Sequence, residues 1–264
     1  MNIPTNFSPD LHLAVEATRA AGQVVAGARR AIISAEEKGD KGLVTAFDKQ
    51  AEQVIFEILR ANSPYSILGE ESGLDGRGSE LVWVVDPIDG TTNFARGLPL
   101  FAISIALMRG IDRLLGVILN PTSNDCYFAE RGRGAYVNGE AMHVSANQNP
   151  RQAVIHVSSG YAANDRQRLV ELMRRLDGTY SARILGTTAL ELCLVASGVT
   201  DAFVCSGDEL WDYAAGVLLV EEAGGIFTDW RGQPWNGQHA FVFASNGQLH
   251  RPILEQIQDL QPLT

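Results

Sequence analysis

The run Trp83-Val84-Val85-Asp86-Pro87-Ile88-Asp89-Gly90-Thr91-Thr92-Asn93-Phe94 constrains this chain more than any other stretch. An apolar, strand-like segment ends in two aspartates three positions apart, with a proline between them and a glycine and two threonines behind. Taken alone, an Asp-Pro turn that closes a strand and a second Asp that caps a helix account for it. The chemistry goes further. Two carboxylates held this close repel each other and shift each other's pKa unless a cation sits between them. Hard oxygen ligands suit Mg²⁺. The Gly-Thr-Thr segment offers N–H groups and hydroxyls, as an anion such as phosphate requires. One short stretch therefore supplies half of a metal-assisted phosphoryl-transfer site.

The rest of the chain sets the frame. Its 264 residues suit one large domain or two closely packed halves, and 45% hydrophobic with 20% charged residues is the balance of a soluble globular protein. A net charge of −10 argues against direct nucleic-acid binding, and sits oddly with an anionic substrate unless bound cations reverse the local field. Cys126, Cys193 and Cys205 are odd in number and far apart, which disfavours a disulfide framework or zinc site and predicts a reducing cytoplasm. Met1 to Pro9 lacks the basic and apolar regions of a secretory signal, and no apolar run reaches the roughly 18–20 residues that span a bilayer. The five histidines form no metal-like spacing and read as surface or satisfied core residues.

Periodicity predicts two helices first. One starts at Ser8-Pro9-Asp10, with Leu13, Ala17, Ala20, Ala21, Val24 and Ala28 on its apolar face; the other starts near Asp48, with Ala51, Val54, Ile55, Ile58 and Leu59. The polar stretch Glu36 to Gly42 between them reads as a mobile loop. Strands are expected at Tyr65–Leu68, Leu81–Val85, Phe101–Met108, Leu114–Leu119 and Asp125–Glu130, with a tight turn at Asn138-Gly139. Beyond Asn147–Pro150, the best candidate junction, strands and helices alternate, as in a layered α/β region. The division is therefore placed at 1–150 and 151–264.

Asp48, Glu70, Asp86, Asp89 and Asp212 each lie at the edge of an expected element. Each has an ordinary role as a cap or a solvated turn residue. If those edges converge, the pocket holds five carboxylates and is untenable without divalent ions.

These segments carry a family resemblance. Leu43-Val44-Thr45 with Asp48, Gly69-Glu70-Glu71-Ser72, Asp86 to Phe94, Leu185 to Cys193, and Trp211 to Gly225 occur in the order found in the inositol monophosphatase family, and the chain resembles that family from about Leu13 to Ser245. The resemblance implies an α/β fold, a five-layered αβαβα sandwich, usually as a homodimer. It implies two to three Mg²⁺ ions, with Mn²⁺ as the substitute, and hydrolysis of a small phosphate ester by metal-activated water. Glu70, Asp86 and the Ile88 carbonyl would bind the first ion; Asp86, Asp89 and Asp212 the second; Glu70 would help hold a third. Asp48 and Thr91 would orient and deprotonate the attacking water. The backbone of Gly90, Thr91 and Thr92 would grip the phosphate, and Lys38 would lie near the metals. Gly186, Thr187 and Thr188 would face the substrate ring, although Thr187 also has an ordinary role as the N-cap of a helix that starts at Thr188.

One departure bears on substrate. Inositol-specific relatives carry a glutamate seven residues before the Trp-Asp aspartate, and here that residue is Cys205, which cannot replace a carboxylate acceptor. Asp208 and Glu209 offer new carboxylates nearby. Inositol-1-phosphate and fructose 1,6-bisphosphate rank first as expected substrates. Histidinol phosphate competes, since an acidic pair suits its amine, and nucleotide 3′-phosphates and NADP are further alternatives on this scaffold. A regulatory, partner-binding protein is the alternative of a different class, because some bacterial relatives act through RNA-polymerase or RNA-processing partners.

Overall fold

The computed structural model describes residues 6–27, 34–37, 43–235 and 241–260. Helix α1 (Pro9–Ala26) starts where expected: Ser8 Oγ accepts the Leu11 N–H at 3.2 Å and Pro9 occupies the first turn. Its buried face is rotated from the expected one. Leu11, Ala14, Thr18, Gly22 and Val25 join Leu13, Ala17 and Ala21 inside, whereas Ala20 and Val24 are only half-buried. A three-residue hairpin, β1 (Ala35–Glu37) with β2 (Leu43–Thr45), flanks residues 38–42, which lie outside the described residues. Lys38 and most of the expected mobile loop fall there. Helix α2 (Ala46–Asn62) follows directly.

An eight-stranded sheet comes next. It contains β3 (Ser66–Gly69), β4 (Gly73–Asp75), β5 (Leu81–Asp89), β6 (Ala102–Arg109), β7 (Asp112–Asn120), β8 (Asp125–Glu130), β9 (Ala135–Val137) and β10 (Glu140–Met142), in the spatial order β10-β9-β8-β7-β6-β5-β3-β4. All described pairings are antiparallel except β3 with β5. That exception matters, because it brings the C-terminal ends of two strands to one edge. The five-residue helix α3 (Thr91–Ala95) sits just beyond β5. A second sheet, in the order β12-β11-β13-β15-β14, contains β11 (Val154–Ser159), β12 (Ser181–Arg183), β13 (Ala202–Ser206), β14 (Ile226–Thr228) and β15 (Phe241–Ser245). Helices α4 (Ala163–Leu176), α5 (Thr188–Ala196), α6 (Leu210–Glu222) and α7 (His250–Ile257) alternate with it.

Packing stacks these elements in five layers. α1 and α2 cover one face of the large sheet; α5 and α6 lie between the two sheets; α4 and α7 cover the far face of the small one. The expected αβαβα sandwich is therefore present. Side-chain alternation explains the layering: Ile103, Ile105 and Leu107 of β6 face α1, whereas Ala102, Ala106 and Met108 face the middle helices. The middle face uses small residues because α6 approaches closely. A Cβ at Gly116 of β7 would lie 2.8 Å from Ala215 Cα, so the backbones touch only with glycine there. A sheet covered on both sides is buried almost end to end, which is why its strands read as continuous apolar runs.

Candidate active site

The Trp83–Phe94 run does not end its strand at Val85. β5 continues to Asp89 through a bulge: Asp86 pairs with Ser104 and Asp89 with Ala102, so one extra residue is accommodated between them. In a regular strand, residues three apart point to opposite faces; the extra residue turns both aspartates toward one side. Pro87 is tolerated because a bulge releases a ladder position from pairing. Asp86 Oδ1 accepts the Ile88 N–H at 3.0 Å and steadies the kink. Gly90 then takes φ +86°, and a Cβ there would meet the Gly186 and Leu100 carbonyls at 3.0 Å.

Asp48 lies in the first turn of α2 and is fully buried. Its Oδ2 accepts the Thr45 N–H at 2.7 Å and the Thr45 hydroxyl at 2.6 Å, a helix cap as expected. Its Oδ1 faces Thr91, whose hydroxyl lies 3.0 Å from that oxygen and 3.0 Å from the Ile88 carbonyl. The parallel β3–β5 pair continues as Glu70 N–H bonds Val85 O at 3.2 Å, which seats the half-buried Glu70 beside Asp86. Behind it stands Glu52, buried on α2. It accepts the Glu71 N–H at 2.9 Å and the Ser72 hydroxyl, and so fixes the Gly69–Ser72 loop. Sequence reading passed over Glu52, although its i+4 spacing from Asp48 places it on the same helical face.

The second half contributes two helix starts. Asp212, in the first turn of α6, accepts the Glu209 N–H at 2.7 Å. At α5, Thr187 holds the expected N-cap position, but its side chain makes no capping bond. Its hydroxyl instead donates to Asp89 Oδ2, which also accepts the Ala189 N–H at 2.9 Å. Asn93, whose role no local sequence signal reveals, spans the loops in front of this helix: its amide donates to Leu100 O at 2.8 Å and Leu185 O at 2.7 Å. Of the two new carboxylates, Asp208 faces inward and accepts the Thr188 hydroxyl at 2.5 Å, whereas Glu209 is exposed, as are Gly186 and Thr92. Cys205 is buried in β13, and burial, with Asp208 nearby, pushes its thiol pKa well up. Tyr161, which carried no sequence signal, also stands here. It is half exposed at the rim of the site, where partial desolvation and the charges of Asp212, Asp208, Asp89 and Glu70 raise its phenol pKa.

Carboxylate oxygens of Asp86, Asp89 and Asp212 lie within 4.8 Å of one another. Burial, then the charges of Glu70, Asp89 and Asp212, raises Asp86 well above the usual carboxylate range. Burial pushes Asp89 up to about 8 against the bonds from Thr187 and Ala189. Asp212 is raised by burial, then by Asp208 and Asp89. Three acids that oppose each other's ionisation, all presenting hard oxygens, form a donor set that fits a divalent cation such as Mg²⁺.

An αβαβα sandwich with an acidic cluster where its strand and helix ends meet defines the class. The sequence matches the Inositol monophosphatase family over residues 7–261, and the chain belongs to that family. It is 39% identical to an inositol-1-monophosphatase of Mesorhizobium japonicum, covering 83% of this chain and 84% of that one. It is 37% identical to the Nus factor SuhB of Pseudomonas aeruginosa, covering 97% and 98%. The crystal structure of the extragenic suppressor protein SuhB from Bartonella henselae superposes with a TM-score of 0.89 at 33% identity, covering 95% of this chain and 99% of that one.

Proposed function

We propose that this protein is a Mg²⁺-dependent phosphomonoesterase acting on a small phosphorylated polyol or sugar, with inositol-1-phosphate and fructose 1,6-bisphosphate first among substrates. The observation that carries the reading is the convergence of Asp86, Asp89 and Asp212 within 4.8 Å, beside the Asp48–Thr91 pair. Asp86, Asp89 and Asp212, with Glu70 and the Ile88 carbonyl, are the residues that would hold the ions. Bound there, divalent ions supply a lowered water pKa and charge neutralisation at the phosphoryl oxygens.

The chain's own groups do the rest. Asp48 is placed as the base. Burial raises its pKa, while Thr45 and Thr91 bonds lower it, so it stays anchored yet able to take a proton. With its proton directed to Asp48 Oδ1, the Thr91 hydroxyl offers lone pairs that orient a water. Gly90 to Thr92 present N–H groups to phosphate, and Lys38 adds a cation from outside the described residues. Thr188 and the Gly186–Thr187 backbone stand on the side of the alcohol, where Asp208 rather than Glu209 is the recessed carboxylate. We place the protein in the cytoplasm as a homodimer. Three buried free thiols suit a reducing compartment, and sedimentation tests the dimer. Among the described residues, no helix is long and apolar enough to cross a membrane.

The test is phosphate release from inositol-1-phosphate, fructose 1,6-bisphosphate, histidinol phosphate, 3′-phosphoadenosine 5′-phosphate and NADP, each with Mg²⁺ and with EDTA. Metal-dependent turnover that favours one compound establishes the class and the substrate. No turnover by folded, metal-loaded protein rejects the reading for these esters. The relative named a Nus factor favours a second reading, a regulatory protein on the same scaffold. Asp89→Asn separates the two: a biological effect that survives loss of phosphatase activity supports the regulatory one.

A further inference from the structure

His156 departs from the expectation of a satisfied core histidine. It is 2% exposed on β11, and neither ring nitrogen has a hydrogen-bond partner. Ile155 and Val157 point into the cluster beneath α4, so His156 faces the middle helical layer. There its Nδ1 lies 3.6 Å from Oε1 of Glu191, a fully buried residue of α5 whose Oε2 is also unpartnered. Burial raises the Glu191 pKa, against the nearby His156 ring and the bond from the Leu185 N–H. Among neighbours such as Leu190, Leu192 and Val195, an apolar side chain would cost less than this acid. Stability therefore does not account for it.

Glu191 holds the loop in front of its own helix. Oε1 accepts the Leu185 N–H at 2.7 Å. From the other side, Asn93 Nδ2 grips Leu185 O at 2.7 Å and Gly186 O at 3.2 Å. The far end of this clamped segment is Thr187, whose hydroxyl, with the Ala189 N–H, fixes Asp89 through Oδ2. We infer that Glu191, braced by His156, is a positioning residue: it holds Leu185–Thr187 so that Asp89 is presented to a divalent cation in one orientation. The inference rests on the metal reading of Asp86, Asp89 and Asp212. Partners that orient a ligand matter to affinity nearly as much as the ligand itself.

The test is Mn²⁺ binding to the full chain by titration calorimetry, with thermal unfolding in EDTA beside it. Glu191→Leu fills the site and removes the acceptor. It is expected to weaken Mn²⁺ binding by about tenfold while the unfolding midpoint in EDTA holds or rises, since a buried acid is gone. Glu191→Gln keeps an acceptor for Leu185 and is expected to restore wild-type affinity. A merely structural residue would move stability and affinity together. Folded Glu191→Leu protein that binds Mn²⁺ as tightly as wild type overturns the inference. If that variant does not fold, His156→Phe is read instead: weakened binding supports the brace, and unchanged binding overturns it. A wild-type protein that binds no Mn²⁺ brings down the metal reading itself, a failure visible before any variant is made.

Discussion

Two sets of carboxylates meet at this site, and they are treated oppositely. Asp48 and Glu52, both on α2, are surrounded by donors: Thr45 and Thr91 for one, the Glu71 N–H and Ser72 hydroxyl for the other. Asp86, Asp89 and Asp212 come from a bulged strand and a helix start and bring carboxylate oxygens within 4.8 Å of one another, although Asp89 Oδ2 is also held by Thr187 and Ala189. Both sets have raised pKa values with burial as the leading cause, so a raised pKa does not tell them apart. What sets Asp86 and Asp212 apart is the second cause: further carboxylates that raise it, where in the first set, and in Asp89, hydrogen bonds lower it. The first set is complete within the fold, whereas the second presents a donor set that a cation from outside would satisfy.

The largest effect should come from Asp86→Asn, because Asp86 is central to the cluster. Activity is expected to fall by more than about 10²-fold, since even partners behind a metal ligand are worth roughly 10–100-fold. The metal-free protein should be as stable as wild type or more so, because repulsion is relieved. Steady-state phosphate release together with thermal unfolding in EDTA checks both. Near-wild-type turnover at ordinary Mg²⁺ levels would move Asp86 out of the ligand set.

Asp48→Asn probes the other set. The activity loss should be roughly 10²–10⁴-fold, with Mn²⁺ affinity little changed, because Asp48 is satisfied by protein donors. If affinity falls in parallel with activity, Asp48 belongs with the ligands and the two-set description fails.

Much of this arrangement was legible in the sequence. The five-layer sandwich was implied by the family resemblance, and the positions of Asp48, Glu70, Asp86, Asp89 and Asp212 at element edges followed from periodicity and turn signals. What escaped has a physical reason in each case. The β5 bulge is invisible because register is a property of two strands, and Asp86 and Asp89 share a side only through pairing with Ser104 and Ala102. Thr187 looked like a cap because capping is local, whereas its actual acceptor lies 98 residues away. The rotated face of α1 reflects alanine, which marks an apolar stripe weakly. Glu191 and His156 show nothing in one dimension, since neither spacing nor composition records that two buried groups face each other.

A gentler probe is pH. Asp89 at about 8, against an ordinary 3.8, means that the folded metal-free protein holds protons the unfolded chain has released. That contribution is complete below about 4 and is lost as pH rises through about 8, so metal-free stability should fall with rising pH. His250, which burial pushes down to about 4 from 6.5, works in the opposite sense, but only below about 6.5. The window from about 6.5 to 8 is therefore the one to measure. Unfolding midpoints in EDTA should decline across it. Saturating Mg²⁺ should flatten the decline, so the metal-induced rise in midpoint grows with pH. A metal effect independent of pH would mean that the cation does not displace these protons.

The smallest expected effect decides where Asp208 belongs. Its pKa is raised mainly by burial, which would suggest membership of the cluster, and its charge in turn raises Asp212. Yet bonds from Cys205, Thr188 and Ser158 lower it, the pattern of the Asp48 set. Asp89 shares that pattern and still closes the cluster, so position separates the two: Asp208 is not among the three acids whose oxygens converge within 4.8 Å, and it shapes the alcohol side of the pocket through the Thr188 hydroxyl. Asp208→Asn should then leave Mn²⁺ affinity close to wild type, because the amide keeps an acceptor for Thr188 while removing one like charge beside Asp212. KM for the preferred ester should rise by several-fold, about 1 kcal/mol for a changed hydrogen bond, with a smaller change in kcat. A fall in Mn²⁺ affinity as large as that of Asp89→Asn would place Asp208 among the ligands, and the boundary between the two sets would move from α6 into the loop before it.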